Sequence, residues 1–230
     1  KKYENGQLEV RNFNELKKII EKIYNEVKND NSGKVADYIP QLKNVDDELF
    51  GITLITVDGQ VIEIGDINNN LCVQSCTKPI NYGIALEKIG KEVVHNFVGK
   101  EPSGRNFNEL CLNQDGLPHN PLINSGAIMT TSLIEANLST SERFEKVYKY
   151  WKDLTCNSHL SFNNAVYLSE KDSADRNYCL GYMMQESCSF MGLNKEISKK
   201  INRKWELNDL KTNLELYFQF CSMELDLLGV

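Results

Sequence analysis

Within Leu71-Cys72-Val73-Gln74-Ser75-Cys76-Thr77-Lys78-Pro79-Ile80 a serine stands three residues before a lysine. On a helix, positions i and i+3 share a face, so this spacing can bring hydroxyl and amine within hydrogen-bond reach. A serine hydroxyl is a weak nucleophile until a neighbouring base takes its proton. Lysine serves as that base only when neutral. Its reference pKa is about 10.4, so ~4–5 kcal/mol of destabilisation of the ammonium is needed to bring it near 7. Burial and the positive end of a helix both act in that direction. Taken alone, Ser75-x-x-Lys78 is a weak pattern that far more often marks a helix-capping serine and a solvated lysine.

Other chemistries find less support. The seven cysteines, Cys72, Cys76, Cys111, Cys156, Cys179, Cys188 and Cys221, are odd in number and none is paired as Cys-x-x-Cys. That pattern suits buried thiols in a reducing compartment better than a disulfide framework. Cys76 adjoins Ser75, but no histidine is patterned with it as a base. His95, His119 and His159 lack ligand spacing, so no metal site is expected. The net charge of −6 and pI of about 5.2 argue against nucleic-acid or anionic-membrane partners driven by bulk charge. No apolar run approaches the ~20 residues of a membrane span.

The company that Ser75 keeps is more specific. Gly33-Lys34-Val35-Ala36-Asp37-Tyr38-Ile39-Pro40-Gln41-Leu42, Thr56-Val57-Asp58-Gly59-Gln60 and the Ser75 stretch occur in that order. Val98-Gly99-Lys100-Glu101-Pro102-Ser103-Gly104 and Pro118-His119-Asn120-Pro121-Leu122-Ile123-Asn124 follow. Then come Ser169-Glu170 leading to Asp175-Arg176-Asn177, and Tyr217-Phe218-Gln219-Phe220-Cys221-Ser222. These seven blocks, from about residue 11 to about residue 225, resemble the serine-dependent glutaminase family of animal type.

The resemblance implies hydrolysis of L-glutamine to L-glutamate and ammonia through an acyl-enzyme, with no cofactor. Ser75 would be the nucleophile and Lys78 its base. Asn124 and Asn177 would offer amide groups to the substrate, and Glu170 would accept from its ammonium. Tyr38 and Tyr217 would contribute hydroxyls, and Gln74 would sit beside the nucleophile. The residues agree in part, since a carboxylate is the natural partner of an ammonium. Glu170 and Asn177, seven apart, would share a face if one helix carried both. Each also has a plainer reading: a solvated charge for Glu170, a turn or cap residue for Asn124, core packing for the tyrosines. Ser125 stands where the family usually has alanine. The resemblance further implies dimers or tetramers, phosphate as an activator, a mitochondrial or cytoplasmic location, and a regulatory loop over Phe107 to Leu112.

The elements that must position these residues are legible. Phe13, Leu16, Ile19, Ile20, Ile23, Tyr24 and Val27 form a helical stripe that Asn12 and Glu15 can cap and Asn29 to Gly33 end. Residues 1–33 are therefore expected as an N-terminal helical extension, and 34–230 as the catalytic domain. A short helix and loop surround Tyr38-Ile39-Pro40. Two β-branched runs flank Asp58-Gly59, predicting a hairpin. The Ser75 helix runs through Ile84, Leu86 and Ile89 to Gly90, with Pro79 in its first turn. Further helices are expected over Gly126 to Leu138, from Ser141 to Leu154, through Ser161 to Cys188, and over Asn208 to Leu228. Strands cluster early and helices follow, an α+β pattern; the resemblance makes it the penicillin-binding/β-lactamase-like fold, an antiparallel sheet with a helical subdomain.

One departure stands out. The family continues beyond the point matching Val230, with a tyrosine that takes part in proton transfer and a Ser-Gly-Val strand that completes the oxyanion hole. A C-terminally truncated chain is therefore expected. Two rivals follow: a catalytically impaired chain that binds glutamine, glutamate or a full-length paralogue, and another Ser-x-x-Lys acyl-serine hydrolase acting on a β-lactam or peptide.

Overall fold

The structure, a computed structural model, describes residues 8–155, 160–190 and 207–226. Two compact units emerge: residues 1–71 with 226–230, and residues 72–225.

The first unit carries α1 (Phe13–Val27), α2 (Pro40–Lys43), β1 (Gly51–Ile55) and β2 (Val61–Gly65). The predicted helix forms, but its cap differs. The Asn12 side chain makes no capping bond, and its backbone carbonyl accepts from Glu15 and Leu16 instead. No residue of α1 is buried. Tyr24 stacks on Phe50 with ring centroids 5.4 Å apart, while Ile19, Ile23 and Val27 remain exposed. Proline opens α2, where its missing N–H costs nothing.

The hairpin pairs antiparallel, Ile52 opposite Ile64 and Leu54 opposite Ile62. Asp58-Gly59 is not a two-residue turn. The Gly59 N–H donates to the Thr56 carbonyl and the Thr56 N–H to the Gln60 carbonyl, with Gly59 at φ +84°. A turn closed by a left-handed glycine bulge fits those bonds.

β3 (Asn70–Cys72), whose last residue begins the second unit, enters a 3₁₀ turn at Gln74–Cys76 and then α3 (Thr77–Ile89). Next come α4 (Lys91–Val94), α5 (Asn124–Leu133), α6 (Thr140–Leu154), β4 (Leu160–Phe162), α7 (Asn164–Asp172), α8 (Asp175–Phe190), α9 (Leu207–Cys221) and β5 (Met223–Asp226). Every residue of α5 from Ser125 to Leu133 is buried, with the Thr130 and Ser132 hydroxyls donating back to carbonyls of the same helix. It packs against α3, α8 and α9. Gly126 permits that approach: a Cβ there would lie 1.8 Å from the Asn120 carbonyl oxygen. Ser139 and Glu142 form a reciprocal capping box on α6.

Arg143 is buried on α6 and closes the far end of α5. Its guanidinium donates to the carbonyls of Thr131, Ser132 and Ile134 and to Asn213 Oδ1 of α9 at 2.8–3.1 Å. These are the carbonyls that a helix C-terminus leaves without intrahelical partners.

Two helical expectations are corrected. The stretch from Ser161 is a short strand and two helices, with Ser173 ending α7 by donating its hydroxyl to the Ser169 carbonyl. The last helix stops at Cys221. Ser222 turns its hydroxyl back to the Phe218 carbonyl, and Met223–Asp226 becomes a strand. Leu227 and Leu228 lie outside the described residues. Within this unit β5 pairs antiparallel with β4, Phe162 opposite Met223. The Val73 N–H, just after β3, donates to the Met223 carbonyl on the other side.

Candidate active site

Ser75 lies in the 3₁₀ turn before α3, not in the helix itself, and Lys78 is the second residue of α3. The turn lifts Ser75 into solvent while Lys78 points inward, only 5% exposed. Spacing alone therefore did not pair them. Lys78 Nζ donates to Asn124 Oδ1 at 2.7 Å, and among the described residues no hydrogen bond joins it to Ser75. Burial holds the Lys78 amine below its ordinary pKa, opposed by the Cys221 thiol. Desolvation of an ammonium acts in this sense.

Asn124, the first residue of α5, joins two partners. Its Oδ1 accepts from Lys78 and its Nδ2 donates to Asn177 Oδ1 at 3.0 Å, while its backbone N–H donates to the Phe107 carbonyl at 2.9 Å. Lys78, Asn124 and Asn177 thus form one chain of hydrogen bonds across α3, α5 and α8. A second pairing joins Gln74 to Glu170, whose Oε1 accepts from Gln74 Nε2 at 3.0 Å. Glu170 is nearly buried on α7. Glu170 and Asn177 stand on separate helices, so their approach to the Ser75 turn comes from tertiary packing rather than from a shared helix face.

Tyr217 is buried on α9, its ring beside that of Phe218 with centroids 5.7 Å apart. Burial first, and Glu170 second, push Cys221 up to about 12. Tyr38 belongs to the first unit and is 55% exposed.

Sequence reasoning missed three neighbours. The Phe107 ring lies 5.5 Å from Lys78 Nζ, within cation–π range. Thr77 is buried beside Ser75, its hydroxyl donating to the Gln74 carbonyl at 2.9 Å. Cys221 faces Thr77, with 4.0 Å between oxygen and sulfur. Only the fold brings positions 107 and 221 to position 78, so no local pattern could have found them. The cysteines also depart from expectation. Among the five described as free, Cys221 is buried, Cys72 and Cys111 are partly covered, and Cys76 and Cys179 are exposed. Among the described residues, no group of three or more His, Cys, Asp or Glu is placed to hold a metal ion. No described helix is long and apolar enough to cross a membrane.

Chemically, the arrangement offers an exposed hydroxyl, a desolvated amine, a carboxylate and two carboxamides on neighbouring elements. Comparison with known proteins supplies the lineage. The family model described as Glutaminase matches residues 33–229. The mouse mitochondrial liver isoform of glutaminase is 40% identical over 92% of this chain, which spans 33% of that relative. Glutaminase 2 of Clostridium perfringens is 36% identical over 84% of the chain, 59% of the relative. Among solved structures, the probable glutaminase YbaS superposes with a TM-score of 0.78 at 26% identity, covering 93% of this chain and 64% of that one. Mglu in its L-glutamate binding form gives 0.75 at 28% identity, covering 92% and 45%. The architecture is accordingly the α+β, β-lactamase-like fold of those structures, and the chain belongs to the glutaminase family.

Proposed function

We propose that the chain hydrolyses the side-chain amide of L-glutamine to L-glutamate and ammonia, with Ser75 as nucleophile and Lys78 as base. The observation that carries this reading is the Lys78 amine, buried, lowered in pKa and hydrogen-bonded to Asn124, one helical turn from an exposed serine. A neutral amine keeps one lone pair and two N–H groups. Giving one N–H to Asn124 Oδ1 restricts where the lone pair points.

In the first step, Ser75 Oγ bonds to the substrate amide carbon as its proton passes to Lys78 Nζ. The C–N bond then breaks, and that proton leaves with the nitrogen as ammonia. Water, deprotonated by the same amine, releases glutamate from the acyl-enzyme. Glu170 receives the substrate ammonium, with Gln74 beside it. Asn124 and Asn177 bond to the substrate and Tyr217 contributes a hydroxyl; a hydroxyl from Tyr38 carries over from the family resemblance alone. Assembly into dimers or tetramers and activation by phosphate, both implied by the family resemblance, are proposals on the same footing.

The experiment is ammonia release from L-glutamine by this chain, with Ser75→Ala alongside. Release that disappears in Ser75→Ala is the expected result. Release that survives the substitution removes Ser75 from the role. Glutamate binding without release, in the unsubstituted chain, replaces hydrolysis with a binding function.

A further inference from the structure

Gln74, directly before the proposed nucleophile, has φ +43°. A non-glycine residue in the left-handed region costs of order 1 kcal/mol or more and persists where its surroundings over-determine it. Its neighbours do not share the conformation: Val73, Cys76 and Thr77 have φ of −69°, −62° and −66°. Gln74 is therefore the one left-handed non-glycine residue described between β3 and α3, directly before Ser75.

The strained residue is held at both ends. Its side-chain amide donates to Glu170 Oε1 at 3.0 Å and approaches Cys72 Sγ at 3.6 Å. Its carbonyl accepts from the buried Thr77 hydroxyl at 2.9 Å, and the Thr77 N–H also points to it. The turn is anchored further by the Cys76 N–H to the Val73 carbonyl at 2.8 Å, and by the Val73 N–H to Met223. A right-handed Gln74 would redirect the peptide that follows it. Ser75 would then leave the exposed position it holds in the turn.

We infer that Gln74 is a positioning residue whose left-handed backbone, clamped by Glu170 and Thr77, aims the Ser75 hydroxyl. This role rests on the Ser75 reading above, and adds to it a conformational requirement at position 74 that is separate from any contact of the Gln74 amide with substrate.

Substitution separates the two. Gln74→Gly and Gln74→Ala both delete the amide, but only glycine adopts positive φ without strain. Asparagine, several-fold enriched at positive φ, gives an intermediate case in Gln74→Asn. Three quantities are read on the whole chain: ammonia release, covalent labelling of Ser75 by a fluorophosphonate ester with Ser75→Ala as blank, and the thermal midpoint. The expected result is labelling and release at least tenfold slower in Gln74→Ala than in Gln74→Gly, with equal affinity of the two for L-glutamate. The midpoint of Gln74→Gly should be at or above that of Gln74→Ala, the reverse of the order in ordinary helical positions. Equal labelling rates, or faster labelling in Gln74→Ala, overturn the inference, as does a Ser75 that the reagent does not label in the unsubstituted chain. Labelling that follows the expected order without ammonia release sinks the hydrolytic reading while leaving the positioning role standing.

Discussion

Helices α1 and α5 invert the usual reading of an amphipathic pattern. Residues 13–27 carry the clearest apolar stripe in the chain, yet none of them is buried. Residues 124–133 show no comparable stripe, are mixed with serine and threonine, and are buried almost end to end. The same contrast separates their units. Among the described residues of the first unit the buried hydrophobics are Ile39 and Ile62, while the second unit holds the core cluster from Val73 to Met223. Helical period therefore identifies a helix, but not how much it contributes to stability. Most of the proposed site, from Gln74 through Lys78, Asn124, Glu170 and Asn177 to Tyr217, stands on the heavily packed side of that contrast. Tyr38 stands on the other.

The contrast predicts a graded series of losses. The largest belongs to Arg143→Ala, which removes the guanidinium from the Ser132 and Ile134 carbonyls and from Asn213 Oδ1 in the interior and leaves the Thr131 carbonyl only its bond from the Ile134 N–H. At ~1–3 kcal/mol for each buried group left unmade, several kcal/mol should be lost by chemical denaturation. A loss under about 1 kcal/mol would show that the α5 terminus is not held as described. Leu214→Ala, fully buried on α9, should cost about 2–5 kcal/mol. Ile23→Ala on α1 should stay within about 0.5 kcal/mol. Comparable values for those two would erase the difference between the units.

Titration gives a smaller and signed effect. Cys221 ionises in the folded chain at about 12 against an ordinary 9.0. Between those values the unfolded chain holds fewer protons, so stability falls as pH rises through that window. Lys78 acts oppositely. Its folded pKa is lowered from 10.5, so the unfolded chain holds more protons between the lowered value and 10.5, and stability rises with pH there. Replacing Cys221 with Val should flatten the alkaline fall in denaturation midpoints measured from pH 9 upward. Lys78→Met should raise the midpoint near neutral pH and abolish ammonia release. A lower neutral-pH midpoint in Lys78→Met would mean that the ammonium is better accommodated than its burial suggests. Glu170→Ala should weaken L-glutamate binding at least tenfold by calorimetry, while moving the thermal midpoint far less than Arg143→Ala does.

Much of this organisation was legible beforehand. The β-branched runs around Asp58-Gly59 announced the hairpin, and the largely uncharged, apolar-rich stretch after Gly126 announced a buried helix. Two helix boundaries were misread because local competition decides them: Ser173 and Ser222 bond back to carbonyls four residues earlier and end α7 and α9. The site was legible as a set of residue types and motif blocks. Its geometry was not, since Lys78 chose Asn124, forty-six positions away, over Ser75 three positions away. The left-handed Gln74 leaves no trace in composition, because glutamine has no preference for that conformation.

The lattice of bonds around the serine turn also has a history in time. The Cys72 thiol reaches the Cys221 carbonyl across 149 positions of sequence, and Val73 reaches Met223 beside it. Contacts this distant carry a loop-closure entropy that must be met before they give anything back, and they slow folding. During synthesis, at ~5–20 residues per second, the nucleophile's turn would leave the ribosome several seconds before the residues that anchor it. The reactive end of α3 is thus expected to be among the last parts of the second unit to acquire its final form. Pulse-labelled hydrogen exchange should find the Val73 amide protected later than the interior of α5.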